Sequence, residues 1–141
     1  EAAVYVADLQ ARIGRDQEGR ARLQTVLTRK PDAARASTAL GLIDFRARRY
    51  KEALPALERA AGQAPQDAFV QTAFGRGLVA IINETPDVEA KRAALQKARD
   101  TLSRAVDIDA TSAYAAGLLG YIELVDRQDV FRAVAMLEDE L

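Results

Sequence analysis

The stretch ARASTALGLIDFRARRYKEALPALERAAGQAPQD, residues 34–67, decides the fold. It reads as two short helices joined by a tight turn and closed by Pro65. Leu40 and Gly41 stand together in the first segment, and Tyr50, Ala53, Leu57 and Ala60 recur at helical spacing in the second. Pro31 and Pro65 punctuate the chain at equivalent points, and after two further positions each gives way to an alanine that opens a new apolar-periodic run. The implied period of about 34 residues marks a helical repeat array.

The pattern extends both ways. Residues 2–14 and 17–30 form a first pair, with Val4, Val6, Leu9 and Ile13 as one apolar stripe, Gly14 as the break, and Leu23, Val26 and Leu27 as the next. The second pair spans about 33–47 and 50–63, where Pro55 should delay or bend the second helix. The third pair departs from the period. Its first helix runs from near Ala68 to about Ile82, and its second from about 86 to 108, capped by Thr85 with Pro86 in the first helical position. The fourth starts at Ser112 or Ala113, with Leu118, Leu119 and Ile122 on its first helix and Val130, Val134 and Leu137 on its second. The expected domain is therefore one all-α solenoid of residues 1–141, divided at about 1–32, 33–66, 67–111 and 112–141. Because the chain opens on Glu1 in mid-pattern, it reads as part of something longer.

Composition narrows the chemistry. Cysteine and histidine are absent, which removes disulfides, thiolate chemistry and the common zinc ligand sets. Thr101 and Ser103 have no histidine to activate them, and Asp107 with Asp109 reads as a solvated turn rather than a metal site. The expectation is no enzyme, no cofactor and no metal. Lys and Arg outnumber Asp and Glu by 12 to 9 over residues 1–70 and fall behind by 8 to 12 over residues 71–141. Neither imbalance implies nucleic acid or a charged membrane surface, and the basic run Arg46, Arg48, Arg49 and Lys51 holds a single aromatic, Tyr50, which belongs to the repeat pattern, rather than a series of rings for base stacking. No stretch approaches the roughly 18 apolar residues of a membrane span. Cytoplasm and periplasm both stay open, and the Ala- and Arg-rich, Lys-poor composition hints at a bacterial, GC-rich source.

These residues resemble the tetratricopeptide repeat (TPR) family. Its repeat unit carries Leu-Gly in helix A, an aromatic and an alanine early in helix B, a large apolar residue and alanine later, and a closing proline. Leu40, Gly41, Tyr50, Ala53, Leu57, Ala60 and Pro65 make the fullest copy. The first copy uses Val6, Ala7, Gly14, Leu23, Val26 and Pro31; the third uses Phe74, Gly75, Ala98, Leu102 and Ala105 around a long insertion; the fourth uses Leu119, Gly120, Ala133 and Leu137. Gly41, Gly75 and Gly120 fall in register on helices, where glycine costs up to about 1 kcal/mol, so close helix–helix approach is expected at all three.

The resemblance implies a right-handed superhelix of antiparallel helix pairs whose concave face, lined by the A helices, binds a peptide or protein. Family ligand positions carried onto this chain are Asp8 and Arg12, then Thr38, Leu42, Phe45 and Arg46, then Phe69, Thr72, Arg76 and Val79, and finally Tyr114 and Tyr121, with Val4, Ala80, Leu124 and Val125 beside them. Chaperone-binding members clamp a terminal carboxylate with Lys and Asn; Val4, Asp8, Thr38, Leu42, Thr72 and Arg76 stand there instead, against that subtype. The alternative function is a scaffold that self-associates or packs on flanking domains through its terminal repeats, since the fourth repeat lacks a polar cap.

Overall fold

The computed structural model describes the backbone of residues 2–139 and the side chains of residues 2–127. The helices run in the order α1 (Ala2–Arg12), α2 (Asp16–Arg29), α3 (Ala34–Arg46), α4 (Tyr50–Gln63), α5 (Ala68–Glu84), α6 (Val88–Ile108) and α7 (Ala113–Asp139). The pairs α1–α2, α3–α4 and α5–α6 are antiparallel hairpins, as the periodicity predicts. The turns of the first two hairpins share one device. Gly14 has φ 83°, and Arg48, at the same place in the next repeat, has φ 59°. The chain reverses through a left-handed residue at both.

The packing order gives the curvature. Each helix touches its successor, and the backbones of α1, α3, α5 and α7 also approach one another in turn, whereas those of α2, α4 and α6 stay further apart over the described residues, α6 reaching α4 through the Lys97–Glu58 ion pair. The odd-numbered helices are thus more closely spaced than the even-numbered ones, and the stack curves with its odd side inward. Inside it, Ala7, Leu23, Ala36 and Ile43 form one apolar cluster, and Leu57, Val70, Phe74, Leu78, Leu102 and Ile122 belong to a second.

Two of the three registered glycines behave as expected. A Cβ on Gly41 would lie 2.9 Å from the Leu57 side chain, and one on Gly75 would lie 2.5 Å from that of Leu102. Each glycine is the socket for a fully buried leucine of the following helix. Gly120 differs: nothing lies within 4 Å of its would-be Cβ. The reason is α7, a single 27-residue helix where the repeat pattern predicts a fourth hairpin. Around residues 125–129 the sequence VDRQD holds neither glycine nor proline, so nothing obliges the chain to reverse. The stripe Val130, Val134 and Leu137, with Ala133, lies outside the described side chains.

Other local expectations are corrected. Asp87, not Thr85, caps α6: its carboxylate accepts from the Ala90 N–H at 2.7 Å. Thr85 precedes Pro86, which forces it into extended backbone (φ −93°, ψ 110°), and its hydroxyl bonds back to the Ile81 carbonyl. Helix α4 starts at Tyr50 without delay and passes through Pro55. On α1 the buried residues are Ala7 and Ala11, while Val6 and Leu9 of the helix and Ile13 just past its end are exposed. Ile43, the counterpart of Leu9 in the second repeat, is fully buried; among the described residues no preceding helix covers the α1 face.

Candidate binding face

The inner face is assembled from α1, α3, α5 and the start of α7, each anchored by polar contacts that fix its orientation. Asp67 begins α5 by accepting the N–H groups of Phe69 and Val70, and it also accepts from Arg35 of α3 at 2.6 Å. The buried Gln71, 1% exposed, donates to the carbonyls of Ala61 and Ala64 and so ties α5 to the end of α4. Arg99 of α6 holds α7 by donating to Glu123 at 2.7 Å and Asp126 at 2.8 Å. Tyr121 adds a hydroxyl bond to the side-chain oxygen of Asn83. Helix α6 touches α5 and α7, with a Lys97–Glu58 ion pair to α4, and among the described residues it makes no contact with α1 or α3. The long third-repeat helix therefore leaves the inner face open.

Two clusters of the expected residues come together there. At one end, Asp8 receives Arg12 at 2.7 Å and Arg46 at 3.2 Å, so one carboxylate serves both arginines. A cleft of about 790 Å³ adjoins it, lined among others by Val4, Tyr5, Asp8, Arg12 and Phe69. Further along, the Arg76 guanidinium sits 4.3 Å from the Phe45 ring centre and 6.0 Å from that of Tyr114. That contact joins α3, α5 and α7. Phe45 is held from below by Tyr50, ring centres 5.0 Å apart and tilted by 57°. Of the arginines on α1, α3 and α5, Arg12, Arg35 and Arg46 have carboxylate partners and Arg76 has none among the described residues. Its face is spent on aromatic rings, while its N–H edge is available to an acceptor.

Not every expected residue is presented. Thr38 is fully buried with its hydroxyl on the Ala34 carbonyl, and Val79 belongs to the core, so neither reaches the surface of the face. Leu42 is half-buried against the core, and Thr72 is half-buried with its hydroxyl on the Ala68 carbonyl. Phe69 and Tyr114 are half exposed, at 50% and 53%, and Tyr121 is exposed. Tyr5 lines the cleft although the inward stripe does not select it. The available signal is its place as an aromatic beside Val4, one step off that stripe on an A helix.

The remaining candidates resolve into structural roles. In the basic run, Arg46 pairs with Asp8 and Arg49 with Asp44, while Arg48 occupies the left-handed turn. Partial burial pushes the Asp44 carboxyl up, but hydrogen bonds from Arg20 and Arg49 outweigh it and hold it below its ordinary value. The hydroxyl and N–H of Thr111 hold the Asp109 carboxyl low as well, making it the acceptor of a turn. Among the described residues no group of three or more potential ligands gathers for a metal ion, and no helix is long and apolar enough to cross a membrane.

No protein-family model and no curated protein matches the chain. Solved structures do. The chain is similar to TTC0263, a thermophilic TPR protein of Thermus thermophilus, with a TM-score of 0.76 at 16% identity, covering 94% of this chain and 69% of that one. It is similar to MamA (residues 41 to the end) from Desulfovibrio magneticus RS-1, with a TM-score of 0.67 at 23% identity over 98% and 75% of the two chains. Human IFIT1, solved as a dimer with m7Gppp-AAAA, gives a TM-score of 0.74 at 18% identity; the match covers 88% of this chain but only 29% of the human one. At these identities the likeness establishes architecture: the fold is a TPR-like α-solenoid.

Proposed function

We propose that this chain is a protein-interaction module that holds a peptide or protein segment along the face lined by α1, α3, α5 and the start of α7. The observation that carries the reading is Arg76, stacked on Phe45 beside Tyr114 with no carboxylate partner among the described residues. A guanidinium held by its face on aromatic rings is pre-organised to donate from its edge to a carboxylate or backbone carbonyl. The exposed rings of Phe69, Tyr114 and Tyr121 supply apolar anchoring on either side. Similarity to a TPR protein supports this use of the fold without specifying a ligand. Enzymatic work is not part of the proposal: the chain lacks His and Cys, and the hydroxyls of Thr38, Thr72, Thr85 and Thr101 are all engaged by backbone carbonyls. A second reading, self-association through the terminal helix, is favoured by one specific observation, the open Gly117 and Gly120 on α7.

Selection from a phage-displayed library of short random peptides tests the first reading. Peptides that bind the wild-type chain should lose about tenfold or more in affinity toward Arg76→Glu and Phe45→Ala, corresponding to roughly 1.4 kcal/mol, with both variants retaining their helical circular dichroism. Selected peptides that bind both variants as tightly as the wild type would sink it.

A further inference from the structure

The cleft beside Asp8 has a cause in the sequence. Ala36 stands one repeat before Val70: where α5 puts a fully buried valine into the core, α3 puts only a methyl group. Ala33 and Ala39 lie beside it, and over these alanines the cleft opens to about 790 Å³, a volume suited to a ligand. Two exposed rings, Tyr5 and Phe69, also line it. An apolar side chain entering there would exchange water for methyl groups and ring faces.

Charge decides what surrounds that anchor. Among the described residues the cleft is lined by Arg12, Lys30 and Arg35 against one carboxylate, Asp8; Asp32, in the turn next to Lys30, is not part of the lining. Asp8 also pairs with Arg46, Asp67 holds Arg35, and Arg76 lies further along the face. Together these are five cations against two carboxylates, on a chain whose net charge is −1. Lys30 is exposed, and neither it nor Arg76 has a carboxylate partner among the described residues. Phe69 at the cleft and Arg76 share α5, about 10.5 Å apart along its axis, a span that an extended peptide covers in about three residues.

We infer that the inner face takes an acidic peptide segment with a large apolar anchor. The anchor enters the cleft against Tyr5 and Phe69. One side-chain carboxylate meets Lys30, and another, about three residues from the anchor, meets the N–H edge of Arg76. The inference rests on the groove reading above and names its class of ligand. A neutral apolar segment would leave both cations unanswered, and a basic one would meet a surplus of like charge.

Peptides selected from the random library, fluorescently labelled and titrated with the full chain, test it. Their sequences should be enriched in Asp or Glu about three positions from Leu, Met, Phe or Trp. By fluorescence anisotropy, affinity should fall about tenfold or more when the anchor becomes Ala or when the chain carries Tyr5→Ala. Lys30→Glu should cost about threefold or more, and binding should recover when the acidic residue that faces it in the peptide becomes Lys. Tyr5 and Lys30 are exposed, so both variants should keep their helical circular dichroism. Competition by polyglutamate as strong as that of the selected peptide would show charge acting alone and overturn the anchor. Peptides that need Arg76 and Phe45 but carry no acidic residue, or that bind Tyr5→Ala and Lys30→Glu undiminished, overturn the inference and leave the groove reading standing. A library that yields no binder, or only binders indifferent to Arg76 and Phe45, overturns both.

Discussion

Replacing Gly75 by alanine sets two opposed effects against each other in one position. In an open helix the change stabilises by up to about 1 kcal/mol, because alanine loses less backbone entropy. Here the new methyl would lie 2.5 Å from Cγ and Cδ2 of Leu102, a distance that real side chains do not tolerate. Leu102 is fully buried within the core cluster that also holds Phe74 and Ala98, so it has no free space to swing into. Overpacking of that kind costs about 1–3 kcal/mol. The net expectation is a loss of up to about 2 kcal/mol, which for a chain of this size lowers Tm by up to roughly 8 °C. Gly120→Ala is the internal control. With no neighbour at its Cβ, it should gain up to about 1 kcal/mol when measured at a dilution where the chain is monomeric. Urea and thermal unfolding followed by circular dichroism read both. In a Leu102→Ala background the cost of Gly75→Ala should largely vanish, a coupling of about 1 kcal/mol or more. If Gly75→Ala stabilises the protein as much as Gly120→Ala does, the glycine-socket account of the hairpins is wrong.

Other predictions follow from single contacts. Arg48→Gly should raise stability by up to about 1 kcal/mol, since glycine relieves the left-handed strain at φ 59° and Arg48 forms no ion pair among the described residues; equal or lower stability in urea unfolding would contradict it. Asp44→Asn should destabilise at neutral pH and in low salt. Because Arg20 and Arg49 hold the folded carboxyl below its ordinary value of 3.8, its contribution is complete above the unfolded pKa and fades as pH falls through the lower folded one. The gap between wild type and variant should therefore close only in acid, below about pH 4; a gap that closes near neutrality would refute the assignment. Gln71→Leu should cost about 1–3 kcal/mol by leaving the Ala61 and Ala64 carbonyls without their donor, and hydrogen exchange at the α4–α5 junction should quicken.

Much of the architecture is legible because it is periodic. Prolines one repeat apart, Leu-Gly pairs and the alanine-leucine frames each state one local requirement many times over, and Gly41 and Gly75 meet that requirement in three dimensions. What does not read are places where one local choice overrides the pattern. At Thr85 the proline that follows removes the residue from the helix, and the carboxylate two positions later takes the cap. The fourth hairpin matches the family by residue type, yet its expected turn lacks the left-handed residue that Gly14 and Arg48 supply, and the helix continues. Site residues are legible by direction more than by exposure. The inward stripe brings Phe45, Arg76 and Tyr114 into one stack, but burial of Thr38 and Val79 depends on how deeply neighbouring helices nest, which no single-helix pattern encodes. The pairing of Arg46 with Asp8 is equally invisible, since 38 residues separate them, whereas Arg12 stands four residues from Asp8 on the same helix and its pairing is readable from spacing alone.

The claim at the centre of this account is that ligand lies on the odd-numbered helices. Backbone amide spectra of the labelled chain, titrated with a phage-selected peptide, test it directly. Shifts concentrated at Phe45, Phe69, Arg76 and Tyr114, with α2 and α4 silent, are the expected result. Shifts that map to the outer surfaces of α2, α4 and α6 would contradict it.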